Sequence, residues 1–181
     1  MLGWLVRWQL AKFERQFDYD VSYLRELYEA SPRAFFRFSR ISAMAAHREV
    51  VPREPWFAAK IIATLTEDCG PCTQLVVTMA EREGVSPAIL RAIIAGDEAA
   101  MSPEAALGYR FAKAVIERDI TRAEPLRREV VSRWGKKGLA SLALTIAASR
   151  VFPALKYAVG HGQSCSRVRV AGAETTVVRQ S

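Results

Sequence analysis

The chain has 181 residues, of which 50% are apolar and 25% are charged, and 26 Lys and Arg against 19 Asp and Glu give a net charge of +7. The apolar content excludes a disordered chain, and the modest numbers of Gly, Pro and Cys exclude collagen-like and disulfide-rich classes. A chain of this length fits a single domain with a hydrophobic core.

Apolar residues recur at helical spacing through most of the chain, which predicts amphipathic helices. In chain order, these helices are predicted over about residues 5–17, 23–28, 35–47, 56–66, 72–82, 88–95, 104–118, 126–134 and 139–159. The last helix is expected to bend at Pro153, because proline removes a backbone hydrogen bond. The segment after Gly160 alternates in polarity and predicts a small hairpin or a flexible tail. We therefore predict an all-α fold, a helical bundle in one domain over residues 1–160 with a tail over residues 161–181.

Several residues are typical of helix ends. Serine precedes proline at Ser31, Ser86 and Ser102, which predicts three N-caps, each with proline in the first turn of the helix. Thr121 and Glu124 have the spacing of a capping box. Glycines are expected to end helices through a left-handed conformation at Gly84, Gly96, Gly135 and Gly160.

The sequence shows no apolar run of the roughly 18 residues that a transmembrane helix needs, and charges interrupt the N-terminal segment too often for a signal peptide. We therefore expect a cytoplasmic protein with reduced thiols and no membrane partner. Trp4, Leu5 and Trp8 suit a membrane surface, but the continuing aromatic pattern favours packing against the domain or a neighbouring subunit. The basic residues are spread at helical spacing, which favours a solvated helix face over a nucleic-acid partner.

One short motif carries specific chemistry, and it spans residues 67–72, which read Glu-Asp-Cys-Gly-Pro-Cys. Two cysteines separated by two residues can form a disulfide across one turn of a helix. If Cys72 lies in a helix, Cys69 lies at the N-terminus, where free N–H groups and the helix dipole favour a thiolate. The thiolate is the form that attacks a disulfide or a peroxide. The motif therefore predicts a redox-active dithiol.

Two other interpretations of the cysteine pair remain open. A zinc site would need four nitrogen or sulfur ligands, and His161 and Cys165 are the plausible residues to complete it. Cys69 and Cys72 could instead be inert, since free cysteine is often a small buried residue. The redox interpretation is favoured, and neither a cofactor nor a metal ion is expected.

The same tetrapeptide is the active-site motif of thioredoxins, but the helical patterns after Cys72 contradict that fold, which needs further strands. The chain resembles the alkylhydroperoxidase D-like, carboxymuconolactone decarboxylase superfamily over about residues 50–160. The resemblance rests on Cys-x-x-Cys at a helix start, after an apolar helix and before Met79-Ala80-x-x-x-Gly84-Val85. It continues with a short helix, the segment 102–114, a further helix ending near Gly135 and a long apolar helix.

The resemblance implies an all-helical fold that assembles into homo-oligomers, which could be dimers, trimers or hexamers. It also implies that one cysteine attacks a small peroxide or disulfide, that the other resolves the product, and that a protein thiol could restore the dithiol. In redox members, an upstream glutamate and a histidine four residues after the second cysteine relay protons. Val76 occupies the position of that histidine, and Ala58 and Lys60 lie near that of the glutamate.

A general base must reach the thiol, and the adjacent Glu67 and Asp68 are the candidates. A carboxylate can accept the proton, but its charge also raises the pKa of a thiol, and acidic residues before a helix are ordinary caps. Both roles stay open. Lys60 is expected on the surface, His47 as a helix C-cap, and His161 in an exposed segment.

The sequence thus predicts a thiol-dependent oxidoreductase with catalytic residues Cys69, Cys72, Glu67 and Asp68. The alternative is a non-redox member of the same fold, either a decarboxylase-like lyase or a non-catalytic oligomeric protein.

Overall fold

A computed structural model describes residues 2–164 and 167–177 of the chain. The helices are α1 (Leu2–Phe17), α2 (Ser22–Ala30), α3 (Pro32–Ser39), α4 (Ile41–Ala46), α5 (Arg53–Leu65), α6 (Gly70–Arg82), α7 (Pro87–Ala95), α8 (Pro103–Ile116) and α9 (Ile120–Ala158). A 3-10 turn, Glu98–Ala100, precedes α8, and two short strands, β1 (Arg167–Val170) and β2 (Ala173–Thr176), follow α9. The predicted all-α class is confirmed, because the described part of the chain is mostly helical.

The predicted helices differ from the observed ones at two places. The third predicted helix is two helices, α3 and α4, which meet at Arg40. The last two predicted helices join in α9, where Gly135 has a non-helical backbone with φ +66° and ψ −174°. The interruption lies at Gly135, where the sequence predicts a helix end, because glycine adopts positive φ without a steric penalty. Pro153 lies inside α9, and the bend predicted there stays a prediction.

The serine N-caps are confirmed: the side chains of Ser31, Ser86 and Ser102 each accept the backbone N–H three residues later, at 3.2–3.3 Å. The capping box predicted at Thr121 is wrong. The cap of α9 is Asp119, whose carboxylate accepts the N–H of Arg122 at 2.9 Å. Aspartate is a stronger N-cap than threonine, so α9 begins earlier than the sequence pattern indicates.

Two hydrophobic clusters form the interior. The larger contains residues of α5 to α9, with α5 buried over most of its length. Helix α8 approaches α5 closely at Gly108, where a Cβ atom would lie 2.2 Å from the carbonyl oxygen of Pro55. The smaller cluster contains residues of α1 to α3 and includes Leu75 of α6 and Leu155 of α9 at its edge. Helices α6 and α9 therefore lie between the two clusters.

The C-terminal segment forms an antiparallel hairpin in which Val168 and Val170 are buried in the larger cluster. The side chain of Gln74 on α6 holds β1 in place, because it accepts the backbone N–H of Arg169 at 2.7 Å and donates to its carbonyl at 3.1 Å. The alternation in the sequence thus reflects one strand face that packs on the core.

Helix α9 contains an 18-residue stretch that is long and apolar enough to cross a membrane, by length and composition alone. The prediction that no such run exists is therefore wrong, because the apolar residues continue past Arg150. Core helices of soluble proteins also meet these two criteria, and 44% of the stretch is buried inside the protein, so a single such helix is weak support for a membrane span.

Helix α1 packs through one face only. Val6 and Leu10 are buried, whereas 72% of Trp4 and 46% of Trp8 are exposed. The packing against the domain that was predicted for Trp4, Leu5 and Trp8 is therefore wrong within the chain, because all three are exposed and α1 is held through Val6 and Leu10 instead.

Candidate functional site

The cysteine pair lies at the start of α6, as the sequence predicts. Cys69 is the N-cap residue, its sulfur accepts the backbone N–H of Cys72 at 3.4 Å, and Pro71 lies in the first turn. The two Sγ atoms are at disulfide-bonding distance, and the Cα atoms are 5.3 Å apart. Asp68 enters the helix in the left-handed region, with φ +49°, which aspartate tolerates better than most residues. This turn brings the two sulfurs together.

The two cysteines differ in their surroundings. Cys69 is fully buried, whereas Cys72 lines a cavity of about 820 Å³ between the two hydrophobic clusters. The volume is in the range of small-molecule sites. A molecule that enters this cavity therefore meets Cys72 first.

Two tyrosines from the N-terminal region lie beside Cys72. The hydroxyl of Tyr19 is 3.9 Å from the sulfur of Cys72 and donates to the hydroxyl of Tyr23 at 3.5 Å. Burial raises the pKa of Tyr19, although its hydrogen bond with Tyr23 opposes the shift, and burial also raises the pKa of Tyr23. Both phenols therefore stay protonated near neutral pH and can act as hydrogen-bond donors.

A buried lysine contacts the same tyrosines. The ammonium nitrogen of Lys156 lies 4.8 Å from the ring centroid of Tyr19 and 5.0 Å from that of Tyr23, within cation–π distance. Burial lowers the pKa of Lys156, and the carboxylate of Asp20 opposes the shift. A positive charge thus lies against the rings of both tyrosines, and the hydroxyl of Tyr19 contacts Cys72.

The second buried lysine is Lys60, and its predicted surface position is wrong. Only 7% of Lys60 is exposed, its ammonium donates to the carbonyl of Ala45 at 2.8 Å, and it lies 4.3 Å from the ring centroid of Trp56. Burial lowers the pKa of Lys60 to about 8, against an opposing effect of Glu83. Lys60 lines the cavity that Cys72 also lines. A local sequence pattern does not show that α5 is covered on all sides.

The position that the resemblance assigns to the relay histidine holds an apolar residue, because Val76 lies on the cavity wall, one turn after Cys72. Near the glutamate position, Ala58 is fully buried and cannot transfer a proton, whereas the ammonium of Lys60 lines the cavity. Tyr19 is the hydroxyl that the structure places at Cys72 instead.

Both acidic residues of the motif contact α9, Glu67 through its carboxylate and Asp68 through its backbone carbonyl. Glu67 forms an ion pair with Arg150, and its side chain is 23% exposed. The backbone carbonyl of Asp68 accepts the hydroxyl of Tyr157 at 2.8 Å. These contacts fix the turn before Cys69 against α9.

The histidines and the end of α9 complete the surroundings of the site. His47 caps the end of α4, as predicted, and its ring lies 3.5 Å from the carboxylate of Glu49. The predicted exposed position of His161 is wrong: the ring is only 23% exposed and lies 2.9 Å from the carboxylate of Glu26. Two residues later, the carbonyl of Gln163 accepts the backbone N–H of Gly70 at 3.1 Å. This segment therefore packs against the site.

Among the described residues, no group of three or more His, Cys, Asp or Glu side chains is placed to hold a metal ion. Cys165, which the zinc interpretation requires, lies outside the described residues. No sequence signal marks Tyr19 or Lys156 as a site residue, and Tyr23 lies in the helix predicted over residues 23–28. All three reach the site from elements distant in the sequence.

Comparison of the chain with protein-family models, curated proteins and solved structures gives no match. The interpretation of the site therefore rests on its residues and their geometry.

Proposed function

We propose that the protein is a thiol-dependent oxidoreductase that reduces a peroxide or a disulfide with the Cys69/Cys72 dithiol. One observation carries the proposal: two sulfurs at disulfide-bonding distance lie at a helix N-terminus, and one of them lines a cavity of ligand size. A pair of inert core cysteines would not require access from a cavity.

We assign the attack on substrate to Cys72 and the resolving role to Cys69. Cys72 lines the cavity, whereas Cys69 is fully buried and accepts the N–H of Cys72. Substrate reaches the first sulfur directly, and the second sulfur needs only to reach the first.

With a hydroperoxide, the Cys72 thiolate attacks the terminal oxygen and the O–O bond breaks. This step forms Cys72 sulfenic acid, and the leaving alkoxide takes one proton to become the alcohol. The Cys69 thiol then attacks the sulfenic sulfur, which forms the disulfide and releases water. An external dithiol, such as a protein thiol reductant, restores both thiols by exchange and is itself oxidised to a disulfide.

Tyr19 suits the donation of the proton that the alkoxide needs. Its hydroxyl lies beside the attacking sulfur, and its raised pKa keeps the proton on the phenol until charge develops. Once Tyr19 has given its proton to the alkoxide, the hydroxyl of Tyr23 can donate to the Tyr19 oxygen, and the ammonium of Lys156 against both rings also stabilises the brief phenolate. In this proposal Glu67 and Asp68 hold the turn that carries Cys69.

The proposal includes the predicted relation to alkylhydroperoxidase D-like proteins, with tyrosine in place of the usual relay residues. The helical order and the position of Cys-x-x-Cys at the start of α6 support that relation. It also includes a homo-oligomeric state and a cytoplasmic location, where cellular thiols keep the dithiol reduced.

The test is to count thiols and trap sulfenic acid in wild type, Cys69→Ser and Cys72→Ser after one equivalent of cumene hydroperoxide. We expect wild type to lose two thiols, and Cys69→Ser to accumulate a sulfenic acid that dimedone labels. We expect the remaining thiols of Cys72→Ser to react with cumene hydroperoxide no faster than the thiols of the same variant after denaturation. A wild-type protein that keeps both thiols under mild peroxide and under oxidised glutathione would end the redox proposal.

A further inference from the structure

The cavity beside Cys72 has a mainly apolar wall. Its aromatic and aliphatic lining includes Leu10, Phe13, Phe35, Trp56, Phe57 and Leu75. These residues come from both hydrophobic clusters. Such a wall favours a ligand with a hydrocarbon body, because burial of apolar surface on both partners drives the association.

The charged residues that line the cavity are mostly basic. They are Arg48, Lys60, Arg82 and Glu83. Glu83 pairs with Arg48 at 2.8 Å, so the acidic charge of the wall is already matched by one of the arginines. The wall therefore has an excess of positive charge.

Lys60 can bind an anion with donors that the protein does not use. An ammonium has three N–H donors, and among the described residues the Lys60 ammonium donates one, to the carbonyl of Ala45. The indole face of Trp56 covers one side. A buried cation without a carboxylate partner is costly, and an anionic ligand would reduce that cost. The pKa of about 8 keeps Lys60 mainly protonated at pH 7.

A second, independent observation points to a polar group of the ligand. The side chain of Ser149 is buried, with 2% exposed, lines the cavity, and its hydroxyl has no hydrogen-bond partner among the described residues. An unpaired buried hydroxyl costs free energy that a bound acceptor or donor would recover. Ser149 belongs to α9, whereas Lys60 belongs to α5, so the two polar groups line the cavity from different helices.

We infer that this cavity binds an amphipathic carboxylate, with its hydrocarbon part against the aromatic wall and its carboxylate on the Lys60 ammonium. The inference rests on the proposed function in one respect, which is that a bound molecule lies beside a reacting sulfur, Cys72. Substrates that carry such a carboxylate are then preferred over small neutral ones.

The binding test uses dodecanoate and the neutral dodecan-1-ol as probes, with calorimetry at pH 7 on the full chain. We expect wild type to bind dodecanoate at least tenfold more tightly than dodecanol, because a charge-assisted hydrogen bond is stronger than a neutral one. Lys60→Met should remove this preference and leave dodecanol binding unchanged. Lys136→Met, at an exposed lysine of α9, is the matched control and should bind both probes like wild type.

Equal affinity of wild type for the two probes, or no binding of either, would overturn the inference. If circular dichroism shows that Lys60→Met does not fold, the inference is tested instead by Ser149→Ala and by the affinities of wild type for the two probes. Ser149→Ala should weaken the binding of dodecanoate about fivefold. The assignment would be contradicted if Ser149→Ala bound dodecanoate like wild type and wild type bound the two probes equally.

Thiol counting on the same samples separates the two proposals. Protein that binds dodecanoate through Lys60 but never oxidises its thiols would contradict the redox function and support the binding site. Protein that oxidises Cys72 with hydrogen peroxide but binds no dodecanoate would support the redox function and overturn the binding site.

Discussion

The hydroxyl of Tyr19 lies 3.9 Å from the sulfur of Cys72, although the two residues are 53 positions apart in the sequence. The chain between α1 and α2 therefore reaches across the molecule to the start of α6. Tyr19 is buried, with 5% exposed, so water has little access to this side of the sulfur. In the proposed reaction, the Tyr19 hydroxyl is therefore the protein group placed to supply a proton at Cys72.

Tyr19→Phe should slow oxidation of Cys72 by cumene hydroperoxide by about 10- to 100-fold, because the leaving alkoxide loses its proton donor. Stopped-flow measurement of the single-turnover rate gives the result. Tyr28→Phe removes a hydroxyl from the same group of N-terminal helices and should react like wild type. A Tyr19→Phe rate within twofold of wild type would contradict the assigned role.

The ion pair between Glu67 and Arg150 leads to a prediction that separates structure from catalysis. Its side chains are 23% and 40% exposed, so Glu67→Gln and Arg150→Gln should each lower the free energy of unfolding by at most about 1 kcal/mol. The double variant should lose no more than either single variant, since the same interaction is removed. Urea unfolding of all four proteins provides the measurement. A tenfold slower thiol oxidation in Glu67→Gln, but not in Arg150→Gln, would instead assign the carboxylate as a base.

Lys60 predicts a pH dependence of stability. Its pKa is lowered to about 8 in the folded protein, against an ordinary value of 10.5, because burial disfavours the charge. Between these pH values the unfolded chain holds a proton that the folded protein has released, so stability rises with pH. From pH 8 to 10.5, the free energy of unfolding of wild type should rise by on the order of 1–3 kcal/mol relative to that of Lys60→Met.

The measurement is denaturant unfolding of both proteins in the disulfide form, so that Cys69 and Cys72 do not titrate. Arg48 and Glu83, which line the same cavity as Lys60, are present in both proteins and contribute to both pH curves. If the difference in the free energy of unfolding between the two proteins stays constant or falls as the pH rises, burial does not lower the pKa of Lys60.

Gly108 predicts a large effect of a small substitution. A methyl group at this position would lie 2.2 Å from the carbonyl oxygen of Pro55, and both are backbone-fixed positions in packed helices. Gly108→Ala should therefore lower the free energy of unfolding by about 1–3 kcal/mol, despite the better helix propensity of alanine. Ser132→Ala, at an exposed position of α9, should change stability by less than about 0.5 kcal/mol. Equal stability of Gly108→Ala and wild type would mean that α5 and α8 can separate at no cost.

Features that depend on neighbouring residues could be predicted from the sequence. The serine caps at Ser31, Ser86 and Ser102 require only a side chain and an N–H three residues later. The placement of Cys69 at the start of a helix follows in the same way from the residues around it. The cap at Asp119 was missed because Thr121 offers a second plausible signal within the same turn.

Features that depend on tertiary packing could not be predicted. Lys60 interrupts an otherwise apolar stretch of α5, and this was the signal of a buried lysine, but periodicity alone does not distinguish a covered helix from one with an exposed face. Tyr19 lies in a short connection with no regular pattern, and Lys156 lies in the last turn of α9, where basic residues are ordinary. Their meeting at Cys72 depends on how α9 packs against the N-terminal helices.

The Cys69–Cys72 pair spans a sequence separation of only three residues. The conformational restriction that a cross-link imposes on an unfolded chain grows with the length of the closed loop, and for so short a loop the chain-entropy estimate is about 2 kcal/mol, against nearly 5 for about 100 residues. Opening the bond is therefore expected to lower the free energy of unfolding by less than half of what a long-range disulfide would remove. In the proposed redox cycle, the helices, the cavity and the buried lysines would then depend on packing and not on the cross-link.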